Sequence, residues 1–166
     1  SPSSAASDVY KRQEYNTFNF YTPKFLVFLK KYLESKGVKF IRHTLRALSE
    51  VRKVTGDRAI SAVFNCTGVI TTRLNDVHDV KANYPVRGQV VIVLAPWIHQ
   101  NVGLSRVGVP ITYIIPRPHS GGHVVLGGYS DKNDWTGSSI AEQTQSILER
   151  TTKLCPELLK EGPLHV

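Results

Sequence analysis

A tyrosine in an alternating strand, a small-residue turn after an apolar run, and scattered arginines and histidines are the groups in this 166-residue sequence that could do chemistry. In Tyr113-Ile114-Ile115-Pro116, alternation sends the Tyr113 side chain to one sheet face, where its hydroxyl can reach a cavity and donate to a carboxylate. A half-buried tyrosine with its hydroxyl in water fits the same pattern. Asn65-Cys66-Thr67-Gly68 follows an apolar run, and small residues there let another backbone or a nucleotide approach the carboxyl edge of a sheet. A glycine needed only for the turn explains it as well. Asn65-Cys66-Thr67 is also formally a glycosylation sequon, though a strand end inside a fold is a poor acceptor. The six histidines form no His-x-x-x-His pair, and His99, His119 and His123 read as loop residues. Cys66 and Cys155 stand in no Cys-x-x-Cys or zinc-spaced cluster, and no Gly-x-Ser-x-Gly elbow supports serine catalysis.

These groups need elements to position them. Thr22 can cap a helix opened by Pro23, in which Phe25, Phe28, Leu29, Tyr32 and Leu33 share one face and Gly37 ends the run. Residues 38–41 and 59–65 read as strands, and a helix between short apolar strands is the grammar of a parallel sheet. After residue 71 the grammar changes. Strands are expected at 90–95, 112–115 and 123–126, with Pro116-Arg117-Pro118 and Ser120-Gly121-Gly122 as hairpin punctuation, which points to an antiparallel or mixed sheet. Ser139 and Glu142 form a capping box for a helix running to about Leu154, stopped by Pro156.

Composition bounds the answer. With 41% hydrophobic residues and 20% charged, the chain is an ordinary globular α/β sequence rather than a disordered or fibrous one. No run approaches the roughly 18 apolar residues that a membrane helix needs. The net charge of +8 is spread over helices and loops without interleaved aromatics, so no nucleic-acid partner is expected. The first thirteen residues are small and polar and then read Asp8-Val9-Tyr10-Lys11-Arg12-Gln13, like one frame of a sequencing adaptor; residues 1–13 are taken as a non-native leader.

Thr22-Pro23-Lys24 opening a helix, then Gly37-Val38-Lys39-Phe40, Asn65-Cys66-Thr67-Gly68, Arg87-Gly88-Gln89, Ala95-Pro96-Trp97, Tyr113-Ile114-Ile115-Pro116, Gly127-Gly128 and Trp135, in that order, resemble the FAD-dependent D-amino acid oxidase family. The resemblance implies the middle of a two-domain flavoprotein: residues 14–75 from a Rossmann-like FAD-binding domain, residues 76–166 from a mixed-sheet substrate domain. The family's amino-terminal Gly-x-Gly-x-x-Gly unit and its carboxylate-clamping arginine are not in this sequence, so the chain alone is expected to be catalytically incompetent. No catalytic residue is expected within it.

The resemblance also assigns roles. Asn65, Cys66, Thr67 and Gly68 fall to the cofactor, FAD. Tyr113 matches a tyrosine that assists the substrate carboxylate. Arg106, seven residues earlier, is similar in placement to an arginine that helps D-aspartate oxidases grip a side-chain carboxylate, a task suited to a forked guanidinium; an exposed loop arginine is the alternative. Ser130 departs from the family, which commonly has an aromatic residue there in oxidases of neutral substrates and a basic one in D-aspartate oxidases. Tyr129 could take over if the strand end bulges. The implied partners are a D-amino acid and oxygen, with neutral substrates favoured over D-aspartate, without membrane or nucleic acid; a homodimer and a peroxisomal or cytoplasmic location are compatible with the family. A free-standing basic binding domain without flavin is the competing reading from another class.

Overall fold

The structure, a computed structural model, describes residues 13–56, 59–78 and 83–165. The suspected leader lies outside the described residues, except Gln13. Helix α1 (Thr22–Ser35) begins where Pro23 allows, and it ends as a glycine-terminated helix should. Gly37 adopts φ 86°, letting its own N–H reach Glu34 O at 3.0 Å and the Val38 N–H reach Leu33 O at 3.1 Å. The aromatic stripe forms as a ladder, Phe25 to Phe28 at 6.5 Å and Phe28 to Tyr32 at 6.3 Å between ring centroids. No residue of α1 is buried.

After a 3-10 turn at Leu48–Glu50, helix α2 (Val51–Val54) is a single turn. Its approach is fixed from a distance, because the Asp76 carboxylate accepts the N–H groups of Leu48 and Ser49 at 2.8 and 2.9 Å. Those two amides, Ser49 first, hold the Asp76 carboxyl below its usual range.

The expected strands at 38–41 and 59–65 do not form. Both stretches are coil without a ladder partner among the described residues, and apolar character alone cannot make a strand when no second edge is there to receive its N–H and C=O groups. The parallel sheet expected for this half is therefore not seen.

The second half builds the core. Strands β1 (Val86–Arg87), β2 (Val90–Leu94), β3 (Val102–Leu104), β4 (Thr112–Pro116), β5 (His123–Gly127) and β6 (Asp131–Lys132) make two antiparallel sheets, a β1-β6 ribbon and a four-stranded sheet in the order β2-β5-β4-β3. The chain is thus α/β, with helices on antiparallel sheets. Strand β3 was not anticipated from the sequence, since Val102-Gly103-Leu104 is too short to show alternation. Helix α3 (Ala141–Leu154) lies across β2, β4 and β5. Val91, Val93, Ile114, Val124 and Leu126 face it and meet Ile147, and Leu158 from the 3-10 turn Pro156–Leu159 closes the cluster. No helix among the described residues is long and apolar enough to cross a membrane.

The capping box fails for an instructive reason. Helix α3 starts at Ala141 with Ile140 before it, and no side chain of its own caps it. Gln89, buried at the start of β2, does that work from 51 residues away: its Oε1 accepts the Ile140 N–H at 2.9 Å, while its Nε2 donates to Ile140 O and Thr144 Oγ1.

Candidate functional site

The sheet has two unlike faces. The face turned from α3 carries Val90, Ile92 and Leu94 of β2, exposed despite being apolar, beside Val125 of β5 and Tyr113 and Ile115 of β4. Register places Tyr113 opposite Gly127 on one side and Gly103 on the other. Its ring rests directly on the Gly127–Gly128 backbone: a Cβ added at Gly127 would collide with the ring and hydroxyl, and one at Gly128 would stand 2.9 Å from the hydroxyl. The two glycines are therefore a seat for the ring. A cavity of about 280 Å³ opens beside it, lined by Tyr113, Ile115, Val125, Phe20, Thr22 and Pro23, so the start of α1 forms one wall. The Tyr113 hydroxyl makes no hydrogen bond to the described residues.

Other candidates scatter. Tyr129 points the opposite way, packing on the α3 core and donating from its hydroxyl to Ser146 Oγ at 2.9 Å. The idea that it could replace a pocket residue at position 130 is corrected by this geometry. Strand β5 ends at Gly127, and beyond it the chain leaves the alternation that would have kept Tyr129 on the Tyr113 face, so Tyr129 stands with the core rather than beside the cavity. Ser130 is exposed. Arg106 lies exposed on the turn between β3 and β4, its carbonyl accepting the Val109 N–H at 3.3 Å. Asn65 organises a local turn, its Oδ1 accepting from Thr67 N–H and Oγ1 at 3.2 and 2.7 Å and its Nδ2 donating to the buried Thr71 Oγ1 at 2.7 Å. Cys66 is exposed, and Gly68 starts a 3-10 turn running to Arg73.

A charged knot around Arg87, whose sequence neighbourhood alone assigned it no task, lies just before β2 at the same end of the sheet as Tyr113. Arg87, whose side chain is only 9% exposed, donates Nε to Asp134 at 2.6 Å and Nη2 to Asp131 at 3.1 Å and Gln143 at 2.6 Å. Its Nη1 reaches Gln89. This joins β1, β6, β2 and α3 around one cation. Asp134 has its pKa drawn from 3.8 to about 2, by hydrogen bonds from the Thr136 hydroxyl and amide and then from Arg87. A depressed folded pKa means the unfolded chain takes the proton first. Asp134 therefore contributes its full stability above the ordinary value and loses it as pH falls toward about 2. Denaturant midpoints across that acid window are expected to fall less in Asp134→Asn than in the parent; equal slopes would remove Asp134 from the acid response.

Residues 13–165 match the model of the FAD dependent oxidoreductase family. The chain belongs to that family. It is similar to a D-amino-acid oxidase of Schizosaccharomyces pombe, 38% identical over 148 residues that make up 89% of this chain and 41% of the relative. It also resembles the D-aspartate oxidase of Homo sapiens, 34% identical over 146 residues, 88% of this chain and 39% of that protein. A D-aspartate oxidase of Cryptococcus neoformans is 33% identical over 139 residues, covering 76% and 34%. The chain spans about two fifths of the length of the first two relatives.

The family's cofactor asks for a cradle of N–H groups for its pyrophosphate and a flat apolar surface for its ring system. The apolar face around Tyr113 fits the second requirement. The first is poorly met by the Asn65–Gly68 turn, where the Thr67 N–H is already occupied by Asn65. In this FAD dependent oxidoreductase segment the sheet face is the stronger candidate surface.

Proposed function

We propose that this chain forms the substrate-covering part of an FAD-dependent oxidase that oxidises D-amino acids to imino acids, which water then hydrolyses to 2-oxo acids and ammonia. In this reading residues 14–75 are a portion of the FAD-binding domain and residues 76–166 a portion of the substrate domain, a division supported by the confinement of every described ladder to the second segment. The observation that carries the proposal is the Tyr113 hydroxyl, its ring seated on glycine beside a cavity and without a hydrogen-bond partner among the described residues. When bound, FAD would supply acceptance of the substrate's α-hydrogen with its electron pair and return of the electrons to oxygen as hydrogen peroxide.

The chain's own contribution is alignment. Tyr113 donates to the substrate carboxylate, the apolar face around Ile115 and Val125 excludes water, and the neutral amine enters without a side-chain base. Neutral side chains are favoured over D-aspartate because Ser130 offers no positive charge and Arg106 stands on an exposed turn. The D-aspartate alternative draws on the names of two relatives and on that same Arg106.

The test is peroxide release by the flavin-loaded full-length protein on D-alanine, D-methionine and D-aspartate. Oxidation of the first two is expected; absence of all three activities would defeat the proposal. In Tyr113→Phe, KM is expected to rise about tenfold with kcat little changed, as for a hydrogen bond to a charged group felt equally in ground and transition states. Selective oxidation of D-aspartate that collapses in Arg106→Ala would move the assignment to the acidic substrate.

A further inference from the structure

We propose that Arg150 is a positioning residue for Tyr113, holding from beneath the sheet the two backbone segments that decide where the hydroxyl stands. This rests on the reading of Tyr113 as the carboxylate's partner. The guanidinium of Arg150, on the last turns of α3, converges on one spot. Its Nη1 donates to Pro110 O at 3.3 Å, Ile111 O at 3.0 Å and Thr112 Oγ1 at 2.6 Å, the three residues that lead into Tyr113. Its Nη2 donates to Gly128 O at 3.2 Å, the carbonyl of the glycine seat on which the ring lies. The two segments are also joined to each other, Gly128 N–H to Ile111 O at 2.8 Å.

The cation is itself held. It stacks over the Tyr129 ring at 5.3 Å, and Ser146 accepts both the Tyr129 hydroxyl at 2.9 Å and Arg150 Nε at 3.4 Å. Tyr129, turned away from the pocket, thereby serves it indirectly. Docking of α3 has anchors besides Arg150, in buried Ile147 and Thr151 and the Gln89 cap. What Arg150 adds is a rigid planar fork spanning two strands. A lysine keeps the charge but offers a point-like ammonium that cannot span both.

The experiment compares Arg150→Lys, Tyr113→Phe and the double variant in the full-length protein. In the absence of substrate, hydrogen exchange is expected to quicken in peptides covering residues 110–113 and 127–129 in Arg150→Lys, while β2 and the first turns of α3 keep their protection. With substrate, Arg150→Lys is expected to raise KM, and the Kd of propanoate, about three- to tenfold at nearly constant kcat, and this penalty should vanish in the Tyr113→Phe background. Unchanged exchange would overturn the clamp. Quicker exchange with penalties that simply add would overturn the positioning role and leave Arg150 a structural tie. Should the parent protein neither oxidise D-amino acids nor bind propanoate, the proposed function falls, and exchange alone then decides whether Arg150 fixes the seat.

Discussion

Gly127→Ala is expected to dislodge the Tyr113 ring and cost as much binding as deleting its hydroxyl. The added methyl would occupy the space of the ring itself, and the obstacle is a stiff aromatic plate rather than a flexible chain end. Either the ring swings off the sheet or the two strands part. The first is cheaper because Tyr113 is only half-buried, so overpacking should cost about 1–3 kcal/mol of stability. The larger effect follows from the role proposed for Tyr113: a hydroxyl moved away from a substrate carboxylate would forfeit about 1.5–3 kcal/mol, roughly ten- to a hundredfold in kcat/KM. The decisive control is the same alanine placed in Tyr113→Ala, where the obstruction is gone. Restored stability there with no further loss of kcat/KM is the expected outcome; an equal penalty in both backgrounds would mean that the glycine serves the backbone and not the ring.

Ile147→Ala should produce the largest loss of stability of any single truncation on α3. Ile147 is fully buried, the one apolar residue of the helix with no exposure, and it meets the inner face of β2, β4 and β5 together. Truncation removes apolar contact and leaves a cavity that a three-strand platform cannot collapse into, at about 2–5 kcal/mol. Ile147→Val should cost only about 1 kcal/mol. The contrast is with Ile92, on the opposite face and 38% exposed, where alanine is expected to change the urea midpoint of the chain very little. Comparable losses at 147 and 92 would contradict the two-faced sheet.

How much of this could be read beforehand depended on how local its causes are. The Gly37 closure of α1, the Pro156 stop after α3 and the β4–β5 hairpin were legible because their determinants lie within a few residues. The cap of α3 was not, since Gln89 supplies it from another element and Ser139-x-x-Glu142 is only a statistical signature of a local alternative. Residues 38–41 and 59–65 have strand character without strand structure, because pairing is a property of two segments. At the site, alternation placed Tyr113 on a sheet face but did not tell it from an ordinary half-buried tyrosine, the family resemblance alone singling it out, and its glycine seat required knowing that Gly127 is its cross-strand neighbour. Arg150 gave no signal at all, as the lone arginine of an amphipathic helix in a chain with many basic residues. Its importance comes from carbonyls some 40 residues away.

The sheet that displays Tyr113 also ends in β2, whose outer edge carries no strand among the described residues and whose exposed side chains are Val90, Ile92 and Leu94. Such a margin is a template for strand addition by a second copy. Against this stands the charge of +8, which keeps copies apart at low salt and is screened within about 8 Å at physiological ionic strength. Where this segment is made with its apolar face uncovered, its colloidal fate is therefore set by ionic strength: dispersed in dilute buffer, self-associating through β2 as salt is added.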